Sequence, residues 1–299
     1  MTPLMCSGMV RSPMPADALS VEDLALLRCP TCRTPLILAG GDLAEGQLTC
    51  AGGHLWPVRG GLARLYAEAE VQGNDRLLRV IYDGLAPLHD PAVAWVLPLS
   101  GTGTEPGLRA QHLARIDLRR LTPRPDGAPL RVLEVGVGTG ANLDWVEAAL
   151  PVGAPYELWG LDLAEGMLRR CRRRRAGATH RVRLVMGDAH ALPFPDGAFD
   201  RVFHTGATNN YRDPARAVAE MARVARAGTP IVVVDERLDP AGRHSPYHRL
   251  MYRLMTFYDA APRAPLSLVP PGAVDVRDEQ LARFFYCLSF RMPEATTRS

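Results

Sequence analysis

The stretch Pro129-Leu130-Arg131-Val132-Leu133-Glu134-Val135-Gly136-Val137-Gly138-Thr139-Gly140-Ala141-Asn142 constrains the fold of this chain more than any other. An apolar, β-branched run reads as a buried parallel strand, and the glycines at alternate positions after it read as a tight turn that opens a helix. Gly136 and Gly138 can take positive φ, and without a Cβ they let a ligand approach the backbone while the first N–H groups of the helix stay free. Such a turn is built to hold a nucleotide-like cofactor. Gly136, Gly138 and Ala141 also satisfy the G-x-G-x-x-G/A spacing of dinucleotide sites, so the context must choose the cofactor.

A second apolar run, 156–161, ends at Asp162, where a carboxylate can accept bonds from both ribose hydroxyls. Dinucleotide enzymes place an acid there too. A third run, 182–186, ends in Gly187-Asp188-Ala189, followed by Leu192-Pro193-Phe194-Pro195-Asp196-Gly197-Ala198-Phe199-Asp200. Asp188 is positioned to take a bond from an adenine amino group, and the loop delivers Phe199 and Asp200 into the next strand. With these residues the chain resembles the class I S-adenosylmethionine-dependent methyltransferases, in particular the ubiquinone/menaquinone C-methyltransferase branch, over residues 74–293. The resemblance implies S-adenosylmethionine as cofactor. It also implies cofactor contacts from Tyr82, Glu134, Gly136, Gly138, Gly140, Asp162, Leu163, Asp188 and Ala189.

Strands near 130–135, 156–162, 182–186, 201–204 and 230–235 alternate with helices near 140–149, 164–175 and 213–226, which forces parallel strands and right-handed crossovers. Two last runs, 274–280 and 284–292, are joined by too few residues for anything but an antiparallel hairpin. The expected fold is α/β, a Rossmann-like class I methyltransferase with a mostly parallel seven-stranded sheet and an antiparallel last strand, plus a small N-terminal zinc ribbon. Four segments follow: a disordered leader over 1–20, the ribbon over 21–66, a linker with capping helices over 67–128, and the cofactor-binding core over 129–299.

The ribbon rests on Cys29-Pro30-Thr31-Cys32 and Cys50-Ala51-Gly52-Gly53-His54, a C-x2-C-x17-C-x3-H spacing. Two knuckles so spaced supply four tetrahedral ligands, Cys29, Cys32, Cys50 and His54, and a module this short needs a metal because its own core is small. Four protein ligands leave no position for a catalytic water, so the Zn2+ is expected to be structural. Packing cysteines beside a surface histidine are the alternative. The segment 26–65 resembles the small zinc-ribbon proteins that activate eukaryotic tRNA, rRNA and release-factor methyltransferases, with His54 departing from their pattern. A Cys3His ribbon ahead of a methyltransferase domain also resembles the bacterial 23S rRNA guanine-N1 methyltransferases, which keeps a nucleic-acid partner open.

Composition restricts the partners. The chain has 299 residues, 47% of them apolar, and a net charge of +3, enough for a core but too little charge to imply a nucleic-acid or membrane partner alone. No apolar run approaches a membrane span, and the N-terminus lacks the apolar segment of a signal peptide, so a cytoplasmic location is expected. Homo-oligomerisation is left open. The basic run 169–175 reads as the solvated face of a helix whose Leu163, Met167, Leu168 and Cys171 turn inward, in preference to an RNA contact.

Residues 76–99 show helical periodicity broken at Pro87, Pro91 and Pro98, and 108–121 reads as a second helix. The segment 81–90 resembles the stretch that lies across the cofactor in the quinone-methyltransferase branch, which adds His89 to Tyr82 as a pocket residue. A methyl on a sulfonium is already electrophilic, so the protein must mainly align the acceptor and exclude water. Phenols and carbon acids also need a base near working pH. His204, with Tyr211 assisting, stands after the fourth strand at the end of the sheet where acceptor and cofactor meet, and is the candidate for that role. The segment 244–258, rich in Tyr and Met, is either a lid over an apolar acceptor or ordinary core packing. Three functions remain: methyl transfer to carbon or oxygen of a small apolar or aromatic metabolite, methylation of an rRNA or tRNA base, or a non-catalytic cofactor-binding module.

Overall fold

The computed structural model describes residues 18–99, 104–124, 126–206, 208–256 and 266–294. Most of the expected leader lies outside these residues, as do Phe257 and Tyr258 of the expected lid and the side chain of His89. Four short strands come first: β1 (Leu36–Gly41), β2 (Gly46–Cys50), β3 (Leu55–Arg59) and β4 (Leu62–Leu65). Two helices follow, α1 (Gly73–Leu99) and α2 (Glu105–Ile116). The alternating part runs β5 (Leu130–Val135), α3 (Leu143–Ala149), β6 (Tyr156–Asp162), α4 (Glu165–Arg174), β7 (Val182–Gly187), β8 (Arg201–Thr205), α5 (Pro214–Val224) and β9 (Pro230–Glu236). After α6 (Pro246–Met255) the hairpin β10 (Val274–Ala282) and β11 (Phe285–Arg291) closes the described chain.

The sheet departs from expectation in extent. It is one mixed sheet of eleven strands, ordered β1-β2-β3-β4-β7-β6-β5-β8-β9-β11-β10. Strands β7, β6, β5, β8 and β9 are parallel and β11 runs antiparallel beside β9, as the connection lengths require. The expected small ribbon is continuous with this sheet, because β4 pairs in parallel with β7 from Ala63↔Val185 to Leu65↔Gly187. Without β4, β7 would be an open edge with unpaired N–H and C=O groups. The same core explains the fusion: Leu48, Trp56, Val58 and Leu65 bury with Leu133, Trp159, Leu161 and Val185. Polar ties add to it, with Asp23 taking a bond from Arg183 at 2.6 Å and Arg33 donating to Glu220 at 3.0 Å.

α1 continues through Pro87, Pro91 and Pro98, where local propensity predicts breaks. Tertiary contacts hold it in place: Gly166 N–H donates to Asp83 Oδ1 at 2.6 Å, and Thr139 Oγ1 to Asp90 Oδ1 at 2.6 Å. The basic run of α4 agrees with expectation in part. Its inward residues Met167, Leu168 and Cys171 are buried as expected. Arg169, Arg173 and Arg174 are exposed, and three of the arginines also tie elements together. Arg172 donates to Gly60 O at 2.6 Å, Arg174 to Asp90 Oδ2 at 2.7 Å, and Arg175 to Glu147 Oε2 at 2.8 Å.

Candidate cofactor and acceptor cavity

The C-terminal ends of β5, β6 and β7 open onto a cavity of about 480 Å³ roofed by α1 and α2. Tyr82, Glu134, Gly136, Gly138, Asp162, Leu163, Asp188, Ala189 and Tyr211 all line it. Gly140 and His204 do not. The three loop glycines all have positive φ, +69°, +53° and +73° at 136, 138 and 140, but answer different demands. At Gly136 a Cβ would lie 3.1 Å from the His204 ring, and at Gly140 only 2.5 Å from Cys171 Sγ on α4. At Gly138 a Cβ would meet nothing within 4 Å, so this backbone is open to whatever fills the cavity.

The acids at the strand ends are arranged differently. Asp162 accepts from Gly138 N–H at 2.8 Å and Ala164 N–H at 2.9 Å, which fixes the carboxylate at the mouth of the glycine turn; burial raises its pKa. Glu134 is buried at the end of β5 and accepts from Asn142 Nδ2 at 2.6 Å, while its Oε2 has no partner among the described residues. Burial pushes its pKa up to about 8. Asn142 in turn accepts from Arg109 Nε of α2 at 2.7 Å.

Asp188 is held more tightly than the sequence implies. It accepts from His190 N–H at 2.9 Å, His190 Nδ1 at 2.5 Å and Arg212 Nη2 at 2.6 Å. Asp213 N–H donates to His190 Nε2 at 3.2 Å, so the proton sits on Nδ1 and points at Asp188. Burial opposes ionisation of Asp188, but the His190 and Arg212 bonds outweigh it and bring the pKa down to about 2. Arg212 also pairs with Asp75 at the start of α1, which ties the roof to the floor.

His204 lies behind the cavity wall and is not among its lining residues, and its Nε2 has no hydrogen-bond partner among the described residues. Its ring is fully buried under Gly136, and Nδ1 donates to Val135 O at 2.7 Å. Burial lowers its pKa to about 4, which keeps the imidazole neutral. Tyr211, whose hydroxyl is 3.4 Å from His204 Nδ1, does line the cavity, and burial raises its pKa. Asp75, Arg109, His112 and His190 also line it and carry no motif of their own. His190 stood two residues after Asp188 and was the one with a usable signal. The helices bearing Asp75, Arg109 and His112 reach the cavity only through the fold.

The expected metal ligands converge in the N-terminal part. One ligand atom from each of Cys29, Cys32, Cys50 and His54 lies within 4.8 Å of all the others. His54 Nδ1 is 3.6 Å from Cys29 Sγ and 3.3 Å from Cys50 Sγ, and Cys32 Sγ is 3.5 Å from Cys50 Sγ. Those separations match the roughly 3.7 Å edges of a tetrahedron with Zn–S bonds of about 2.3 Å.

Residues 133–233 match the family described as a methyltransferase domain. This span contains the glycine turn, Asp162, Asp188 and the neighbouring strand ends. The match reads this span as a methyltransferase domain. Over 126 residues the chain is 36% identical to a demethylmenaquinone methyltransferase of Thermus thermophilus, covering 42% of this chain and 56% of that protein. Over 100 residues it is 42% identical to a malonyl-[acyl-carrier protein] O-methyltransferase of Methylococcus capsulatus, covering 33% of this chain and 35% of that one. The chain therefore spans about half or less of the length of these curated relatives. In fold it is similar to phosphoethanolamine N-methyltransferase 2 of Haemonchus contortus in complex with S-adenosyl-L-methionine, with a TM-score of 0.50 and 15% identity over 68% of this chain and 56% of that one. The methyltransferase domain thus occurs with acceptors of several kinds.

Proposed function

We propose that this chain transfers a methyl group from S-adenosylmethionine to carbon or oxygen of a small apolar or aromatic metabolite. One observation carries the acceptor class: away from the polar strand ends, Leu78, Val93, Leu108, Met255, Leu281 and Phe285 supply an apolar part of the cavity wall, beside the polar Arg79, Asp90, Arg109 and His112 of the roof. The strand-end residues suit the cofactor. Gly138 leaves its backbone open, Asp162 is placed for ribose hydroxyls, Asp188 stays ionised for an adenine amino group, and the unpartnered Oε2 of Glu134 suits a cationic amine. The bound cofactor supplies an electrophilic methyl, and the chain's own work is alignment and exclusion of water.

In this reading Tyr211 faces the acceptor, and His204 is a positioning residue that supports Tyr211 and the Gly136 turn. An imidazole whose Nδ1 proton is already donated to Val135 has no role as a base at that atom. Incubation with cofactor labelled in its methyl group, together with a lipid and metabolite extract or with cell RNA, tests the proposal. Label is expected in a small apolar product. Label in RNA would replace this reading with nucleic-acid methylation, and binding without transfer to either would leave a cofactor-binding module.

We propose further that Cys29, Cys32, Cys50 and His54 hold one structural Zn2+. The donor separations and the short module support it, and Cys32 is drawn toward the thiolate, with a pKa of about 6, chiefly by a hydrogen bond with Thr34. Purified protein is expected to contain one zinc per chain by elemental analysis; normal folding with far less would remove the metal.

A further inference from the structure

α6 (Pro246–Met255) presents two opposed faces. Inward, Tyr252 is buried and Met255 lines the cavity. Outward, Tyr247, Leu250 and Leu254 are 50%, 57% and 61% exposed. Their i, i+3, i+7 spacing puts them in one stripe along the helix. Arg249 and Arg253 lie beside that stripe, both exposed and without an ion-pair partner among the described residues. From 243 to 256 the segment contains three arginines and two histidines and no Asp or Glu.

α1, which roofs the same cavity, repeats the pattern. It turns Leu78 and Tyr82 toward the cavity while Leu77, Val80, Leu88 and Trp95 are exposed, Trp95 at 75%. Single exposed apolar residues are ordinary on protein surfaces, but ordered stripes on two helices bordering one cavity mark an interaction surface.

We propose that the outer face of α6 docks on an anionic lipid surface, with Tyr247, Leu250 and Leu254 entering the headgroup boundary and Arg249 and Arg253 meeting lipid phosphates. The charge pattern selects this occupant. Lipid phosphate complements an acid-free basic helix, whereas a two-fold contact between copies through this face would set arginines against arginines. No helix among the described residues is long and apolar enough to cross a membrane, so attachment would be peripheral. Docking does not require methyl transfer; combined with the proposed function, it places the apolar wall of the cavity beside a reservoir of lipid-soluble acceptors.

Sedimentation of the full chain with vesicles tests this. Binding is expected to vesicles of equal parts phosphatidylcholine and phosphatidylglycerol, weak or absent to phosphatidylcholine alone, and to decline as salt rises. Arg249→Glu with Arg253→Glu is expected to lower the partition coefficient by about fivefold or more for each arginine removed. Leu250→Asp with Leu254→Asp is expected to abolish binding. Calorimetric affinity for S-adenosylmethionine in the same variants should not change, which separates failure of docking from failure of the cofactor reading. The proposal is overturned if wild-type protein ignores the anionic vesicles, if either double variant binds them equally well, or if the protein forms a dimer that Leu250→Asp dissolves.

Discussion

The Cys/His cluster and the cofactor cavity are built on opposite plans. The cluster draws four donors from two knuckles close together in the chain, and they face one point. The cavity draws its wall from strand ends, loops and helices distributed from Asp75 to Phe285. A centre held by few donors fails all at once when one is removed, whereas a wall held by many partial contacts loses function in steps. Perturbations of both regions break or sharpen that contrast.

The largest effect is expected at the cluster. Removing the metal with a chelator, or Cys29→Ser, should cost on the order of 5 kcal/mol or more of stability, since structural zinc contributes folding energy outright. Denaturant unfolding with parallel zinc analysis measures it. Because β4 is part of the main sheet, the loss should spread to β7, visible as faster amide exchange at Val185 and Met186. Protection at β7 that survives metal loss would show that the two regions fold independently.

The cavity should respond first through Glu134. Its native pKa, about 8, lies above the ordinary 4.5, so the folded state holds the proton more tightly than the unfolded one. Stability is therefore highest below pH 4.5 as far as this group is concerned, and falls as pH rises to about 8, by about 5 kcal/mol at most. Glu134→Gln should remove that decline in a series of urea melts and weaken cofactor binding.

Glycine substitutions come next. Gly140→Ala is expected to cost about 3 kcal/mol, from a left-handed backbone position and a Cβ pressed against Cys171. Gly138→Ala, with open space around it, should cost about 1 kcal/mol of stability from backbone strain and show its main effect as weaker cofactor binding in calorimetry. Equal stability losses at both positions would mean that Gly138 is also packed.

A smaller effect than at Gly140 is expected at Asp188, where the native pKa of about 2 lies below the ordinary 3.8. Its contribution, about 2 kcal/mol, is present above pH 3.8 and lost as pH falls through 2. Asp188→Asn should flatten the acid limb of the stability curve by that amount. His204→Gln, by contrast, is expected to leave the pH dependence of turnover near neutrality unchanged, because the native imidazole does not titrate there.

Much of this was legible before the fold. The parallel strands and antiparallel hairpin followed from connection lengths, and the convergence of Cys29, Cys32, Cys50 and His54 from spacing within two knuckles. Other features were less legible. Arg169, Arg173 and Arg174 of α4 are exposed, as the solvated-face reading has it, but helical periodicity does not say what lies opposite, and there the β3–β4 turn and α1 accept bonds from Arg172 and Arg174. His204 is proposed as a positioning residue because the alternation of side chains along β8 turns its ring under Gly136, a placement the sequence does not show.

The sequence by itself determined the local features: the strand-turn-helix around Gly136, the acids at the ends of β6 and β7, and the grouping of three cysteines with one histidine. These depend on backbone freedom and short-range spacing, which a chain carries wherever it folds. Tertiary structure alone decided that β4 completes the sheet edge at β7, that Arg212 joins Asp75 to Asp188, and that Arg109 and His112 reach the cavity. Those contacts join residues far apart in the chain, and only burial of a shared core selects one such pairing over the others.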